Sequence, residues 1–125
     1  MLPFGELPVS IRSAWIFVLR AGANTGPERH PNSHQRMMSY MGSGDLQTRA
    51  APDESWQSNI LISDSHASLE QRWISIPQSV WHQPVIPPSR DWVVVSFHTV
   101  PADELIEERP DPVSDAGTRQ KHYVG

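Results

Sequence analysis

Apolar residues along this chain fall in short runs, cut off by proline and glycine before any long helical period is established. The clearest run, Trp92-Val-Val-Val-Ser-Phe-His98, is rich in β-branched and aromatic residues and is bounded by Pro87-Pro88 and Pro101. It predicts a strand with both faces at least partly buried. Residues 14–20 predict a second strand, closed by Gly22 and Gly26. Residues 36–41 lead into Gly42-Ser-Gly44, a turn signal, and residues 45–49 are expected to return as the hairpin partner. Shorter candidates lie at 59–63 and 72–76. Seven or so strands with turns between them predict an all-β domain, an antiparallel barrel or sandwich.

One helix is expected, over 101–108, from a proline near its first position and acids in its first turn. Residues 110–125 turn to Pro, Asp, Ser and Gly and are expected to be a loose tail, with Tyr123 and Val124 as its only anchors. The domain is thus placed at 1–109 and the tail at 110–125.

Composition narrows the chemistry. The 125 residues suffice for one core. No apolar run is long enough to span a bilayer, and the opening residues lack the order of a secretory signal, so a cytoplasmic protein without a membrane partner is expected. There is no cysteine, which removes disulfides, thiolate ligands and a cysteine nucleophile. A net charge of −4 with ten scattered basic residues argues against nucleic acid as a partner. No phosphate-binding glycine loop, dinucleotide fingerprint or Gly-x-Ser-x-Gly elbow is present.

Histidine and carboxylate chemistry remains. In an extended segment residues two apart point the same way, so Glu28 and His30 are placed toward one pocket. After a turn at 31–33, Gln35, Met37, Ser39 and Met41 share one strand face, and His34, Arg36, Met38 and Tyr40 share the other. His82 is expected from a separate strand. Imidazole with carboxylate or amide oxygen suits iron, zinc and nickel. His34 becomes a ligand only if the register slips by one residue. His98 serves either the core or the pocket as acid or base, and Met37, Ser39 and Met41 are expected to line the interior. His66 and His122 are read as inert.

The spacing resembles the two motifs of the cupin superfamily, in its small single-domain, RmlC-like form. The first motif is glycine, five residues, His-x-His, three or four residues, glutamate, six residues, glycine. This chain offers Gly22, Glu28, His30, Gln35 and Gly42 at those positions. The second is glycine, five residues, Pro-x-Gly, two residues, His, three residues, asparagine. Here Pro77, Ser79 and His82 keep the central spacing, while Gln71 and Ile86 replace the outer glycine and asparagine. The likeness covers roughly residues 13–99.

That resemblance implies a cupin-like antiparallel β-barrel, the double-stranded β-helix or jelly roll. It implies a divalent metal (Fe, Zn, Mn or Ni) on His30, His82 and Glu28, with Gln35 where the family has its glutamate. It also implies a small-molecule ligand or substrate and a homodimer. The implied function is a metal-dependent oxygenase or isomerase on a small organic molecule. The alternative is a non-catalytic binding or sensing module, because the fold hosts both.

Overall fold

The computed structural model describes residues 10–110 and 118–124. They form an all-β structure with antiparallel strand pairing throughout. β1 (Ser13–Leu19), β2 (Gln35–Met41), β5 (Trp73–Ile76) and β7 (Trp92–His98) make one sheet, in the order β1-β7-β2-β5. β3 (Gly44–Arg49), β4 (Ile60–Leu61) and β6 (Trp81–Val85) make a second, in the order β4-β3-β6. β8 (Ile106–Pro110) and β9 (Thr118–His122) pair with each other. Isolated bridges from Glu28 to His82 and from Arg29 to Glu108 join the segment before β2 to β6 and to β8. The all-β, antiparallel class is as expected; among the described residues the strands form three sheets and do not close into one barrel.

The core lies between the two larger sheets. β1 alternates half-buried and exposed positions, and β7 alternates fully and partly buried ones. Trp92 and Val94 from β7, Met37 from β2, Leu46 from β3 and Leu61 from β4 pack there. Trp92 is fully buried, so its indole N–H needs a partner; it donates to Ser39 Oγ at 2.8 Å.

Residues 36–41 and 45–49 are both strands, but they do not pair as a hairpin. Gly42 and Ser43 turn the chain from one sheet into the other. Gly42 adopts a φ of +81°, and a Cβ there would lie 2.6 Å from the Asp91 carbonyl oxygen. Just before this corner the β2–β7 register shifts between Ser39 and Met41. Such a bulge inserts one unpaired residue and re-aims those that follow. Met41 is thereby half exposed rather than lining the interior, whereas Met37 and Ser39 are buried.

The helix expected over 101–108 is absent. Ala102–Glu104 makes a single 3-10 turn, and Ile106–Pro110 is strand β8. Local propensity loses to tertiary pairing here. Glu108 exchanges two backbone hydrogen bonds with Arg29, at 3.0 and 2.9 Å, and Tyr123 N–H donates to the Leu105 carbonyl. Of the residues expected as a tail, 111–117 and 125 lie outside those described, and Thr118–His122 forms β9.

Candidate metal centre

Glu28 and His82 sit on neighbouring backbone segments that exchange two hydrogen bonds of 2.9 Å each, N–H to carbonyl in both directions. That pairing joins the Gly-Pro loop to β6. One step on, the His30 carbonyl accepts from Ser79 N–H at 3.0 Å, at the tight turn preceding β6. Both candidate histidines are thus fixed against each other by backbone contacts. Nitrogen and oxygen atoms of Glu28, His30 and His82 all lie within 4.8 Å of one another.

The rings are oriented from behind. His30 Nδ1 is 2.9 Å from the Ile106 carbonyl oxygen, and His82 Nδ1 is 3.3 Å from that of Val80. A carbonyl can only accept, so each Nδ1 carries a proton, and in the neutral ring it is Nε2 that offers a lone pair toward Glu28. Those Nε2 atoms lie 3.8 Å (His30) and 3.5 Å (His82) from Glu28 Oε1. His82 Nε2 is buried without a hydrogen-bond partner. An orphaned buried ring nitrogen beside a second imidazole nitrogen and a carboxylate oxygen fits a divalent cation. The backbone carbonyl behind each ring is the usual support of a ligating histidine.

Burial acts to raise the Glu28 carboxyl, but hydrogen bonds with His30, His82 and Glu107 outweigh it and hold Glu28 well below the usual carboxylate range. Glu107 is pushed the other way, first by burial and then by Glu28 beside it. Arg109 lies between the two acids, its Nη2 3.2 Å from Glu28 Oε2 and its Nε 2.9 Å from Glu107 Oε1. Burial, with the charges of His30 and His82, pushes His98 down to about 3, so its imidazole is neutral. Its Nδ1 is 3.0 Å from Ser33 Oγ, and its ring meets His30 edge-on at 4.8 Å.

Glu28 and His82 line one end of a cavity of about 160 Å³ between the sheets, with Phe17, Leu19, Met37 and Val94 as apolar walls. That is close to the size of a cavity that holds one benzene-sized ring. Gln35 reaches the same cavity. Its Nε2 donates to Ser96 Oγ at 3.0 Å, and its Oε1 is buried with no partner. Of the other residues singled out from sequence, Ser39 is committed to Trp92 and Ser63. His34 stands outside the ligand cluster, its backbone N–H bonded to Thr99 Oγ1.

Arg109 and Tyr123 also line the cavity, and the sequence reading missed both roles, with Arg109 just past the expected helix and Tyr123 in the expected tail. Tyr123 meets His30, Phe17 and Trp15 edge-on, with ring centroids 5.9, 6.3 and 5.1 Å apart. The usable signal was the aromatic residue itself, the one large apolar side chain with a polar tip in an otherwise polar segment.

No family model and no curated protein sequence matches this chain. Solved structures do. A dTDP sugar isomerase from Desulfovibrio desulfuricans G20 aligns with a TM-score of 0.69 at 17% identity, over 94% of this chain and 80% of that one. The WlaRB TDP-quinovose 3,4-ketoisomerase from Campylobacter jejuni aligns at 0.62 and 14%, over 77% of this chain and 68% of that one. The capsular polysaccharide assembling protein CapF from Staphylococcus aureus aligns at 0.62 and 14%; 89% of this chain spans only 28% of the CapF chain.

The chain has a cupin fold. Its cupin-motif glycines have physical reasons to be there, since Gly22 and Gly42 both adopt positive φ, at +72° and +81°. The second motif's central glycine is replaced by Ser79, which is nevertheless held at φ +64°. The cupin turn is therefore kept without its usual residue. Among the described residues no helix is long and apolar enough to cross a membrane.

Proposed function

We propose that this protein is a metal-dependent cupin that isomerises a small hydroxyl-bearing carbonyl compound. The observation that carries the metal is the convergence of two imidazole Nε2 atoms and one carboxylate oxygen, each ring tied through Nδ1 to a backbone carbonyl. Glu28, His30 and His82 would hold the ion, and zinc, iron, manganese and nickel all suit that donor set. A divalent ion there supplies Lewis-acid polarisation of a carbonyl oxygen.

The remaining roles belong to the chain's own groups. Burial, with Glu28 and Glu107 nearby, pushes the Tyr123 phenol up, so it keeps its proton and can donate a hydrogen bond to a bound molecule. Gln35 Oε1 can accept from a substrate hydroxyl, which relieves an unpaired buried acceptor. Phe17, Leu19, Met37 and Val94 exclude water from one side of a ring-sized group. The likeness to sugar isomerases favours isomerisation over oxygenation. A cytoplasmic homodimer belongs to the same reading.

The test is proton exchange at carbon. Metal-loaded protein is incubated in D₂O with keto-sugar nucleotides and with free hydroxyketones, and NMR follows deuterium at the carbon next to the carbonyl. Incorporation that disappears with a chelator supports the isomerase. Saturable binding with no exchange for any compound supports the non-catalytic binding module instead.

A further inference from the structure

We infer that Arg109 is a positioning residue that makes Glu28 a one-oxygen metal ligand. The inference rests on the reading of Glu28, His30 and His82 as a metal site, and it assigns a task to a residue outside both cupin motifs. Glu28 stands in the loop Thr25-Gly26-Pro27-Glu28, where backbone pairing fixes its main chain but nothing in the loop fixes its carboxylate. Its two oxygens are divided. Oε1 lies 3.5 and 3.8 Å from the histidine Nε2 atoms, and Oε2 lies 3.2 Å from Arg109 Nη2.

The guanidinium is itself held on three sides. Nη1 donates to the Thr25 carbonyl at 2.8 Å, so the same side chain grips the start of the ligand's own loop. Nε donates to Glu107 Oε1 at 2.9 Å, and Lys121 Nζ lies 3.3 Å from Glu107 Oε2. Charges therefore alternate from Lys121 on β9 through Glu107 and Arg109 on β8 to Glu28. A planar fork with fixed donors suits this task, because each nitrogen is aimed by a different partner. With Oε2 occupied, only Oε1 is presented toward the two imidazoles. β8 then stands behind two of the three ligands, through the Ile106 carbonyl on His30 and the Arg109 guanidinium on Glu28.

The experiment titrates Co²⁺ into metal-stripped wild type, Arg109→Met and Arg109→Lys, reading affinity and the visible absorption bands of the bound ion. The melting temperature of each metal-free protein is recorded alongside. Arg109→Met is expected to weaken binding by roughly 10–100-fold, as loss of a group that orients a ligand does, and to change the visible bands. Arg109→Lys keeps the charge and is expected to recover part of both. A drop in melting temperature alone, with wild-type affinity and bands in Arg109→Met, would overturn the inference and leave the metal site standing. If Arg109→Met does not fold, wild-type affinity and bands in Arg109→Lys together with Arg109→Gln overturn it equally. Wild type that fails to bind Co²⁺ removes the metal reading and this inference together.

Discussion

Ser79 occupies a conformation that costs an L-residue energy. Pro77-Gln78-Ser79-Val80 closes with Val80 N–H on the Pro77 carbonyl, and φ at Ser79 is +64°. The third position of such a turn favours glycine. Ser79→Gly relieves left-handed strain of about 1–2 kcal/mol and gives back part of it to glycine's larger unfolded-state entropy. A net gain of roughly 0.5–1 kcal/mol in chemical denaturation is the expected result. His98 supplies a pH signature. Its folded pKa is depressed to about 3 from an unfolded 6.5. Its contribution to stability is therefore complete above pH 6.5 and is lost as pH falls toward 3. For metal-free protein the loss by pH 4 is on the order of 3 kcal/mol from this group. His98→Asn keeps a donor for Ser33 and should flatten that part of the denaturation-versus-pH curve, relative to wild type.

At the scale of elements, the corner between β2 and β3 is tightly packed. A Cβ on Gly44 would overlap the ring of the buried Trp92, which cannot move without disturbing Ser39. Gly44→Ala is expected to cost about 1–3 kcal/mol through overpacking, visible as a lower melting temperature. The same corner marks where sequence reading lost its grip. Strand identity at 14–20 and 92–98 was legible from β-branched and aromatic residues between turn residues, and at 36–41 from an apolar run leading into the Gly42-Ser43-Gly44 turn. Which strands pair was not, because Gly42-Ser43-Gly44 signals a turn without saying whether it closes a hairpin or crosses between sheets. β8 was illegible for a different reason. Pro101-Ala-Asp-Glu carries every local mark of a helix start, and only the distant partners Arg29 and β9 make the segment a strand. The pairing of Glu28 with His82 was legible only as spacing, whereas Arg109 and Tyr123 carry no motif.

For the whole molecule, the outward side of the larger sheet bears on assembly. Ile16 and Val18 on β1 are 74% and 55% exposed, and Tyr40 on β2 is 61% exposed. Their register partners on β7, Val95 and Val93, are only partly buried. Scattered apolar residues on a surface are ordinary, but a contiguous sheet face marks an association site. A homodimer through this face is expected by sedimentation equilibrium, and the double change Ile16→Lys with Val18→Lys should give a monomer that remains folded. A wild-type monomer at all concentrations would remove the dimer and leave the site intact, since its three candidate ligands come from one chain.

The central claim is that Glu28, His30 and His82 hold one divalent metal, and calorimetric titration of Zn²⁺ into metal-stripped protein tests it most directly. The account predicts one ion per chain for wild type. It predicts that His30→Ala and His82→Ala each abolish stoichiometric binding without unfolding the protein, and that Glu28→Ala weakens it by at least tenfold. Gln35→Glu, which adds a carboxylate to the cavity, should tighten it, and His34→Ala should leave it unchanged. Equal, weak binding by wild type and every variant would contradict the account.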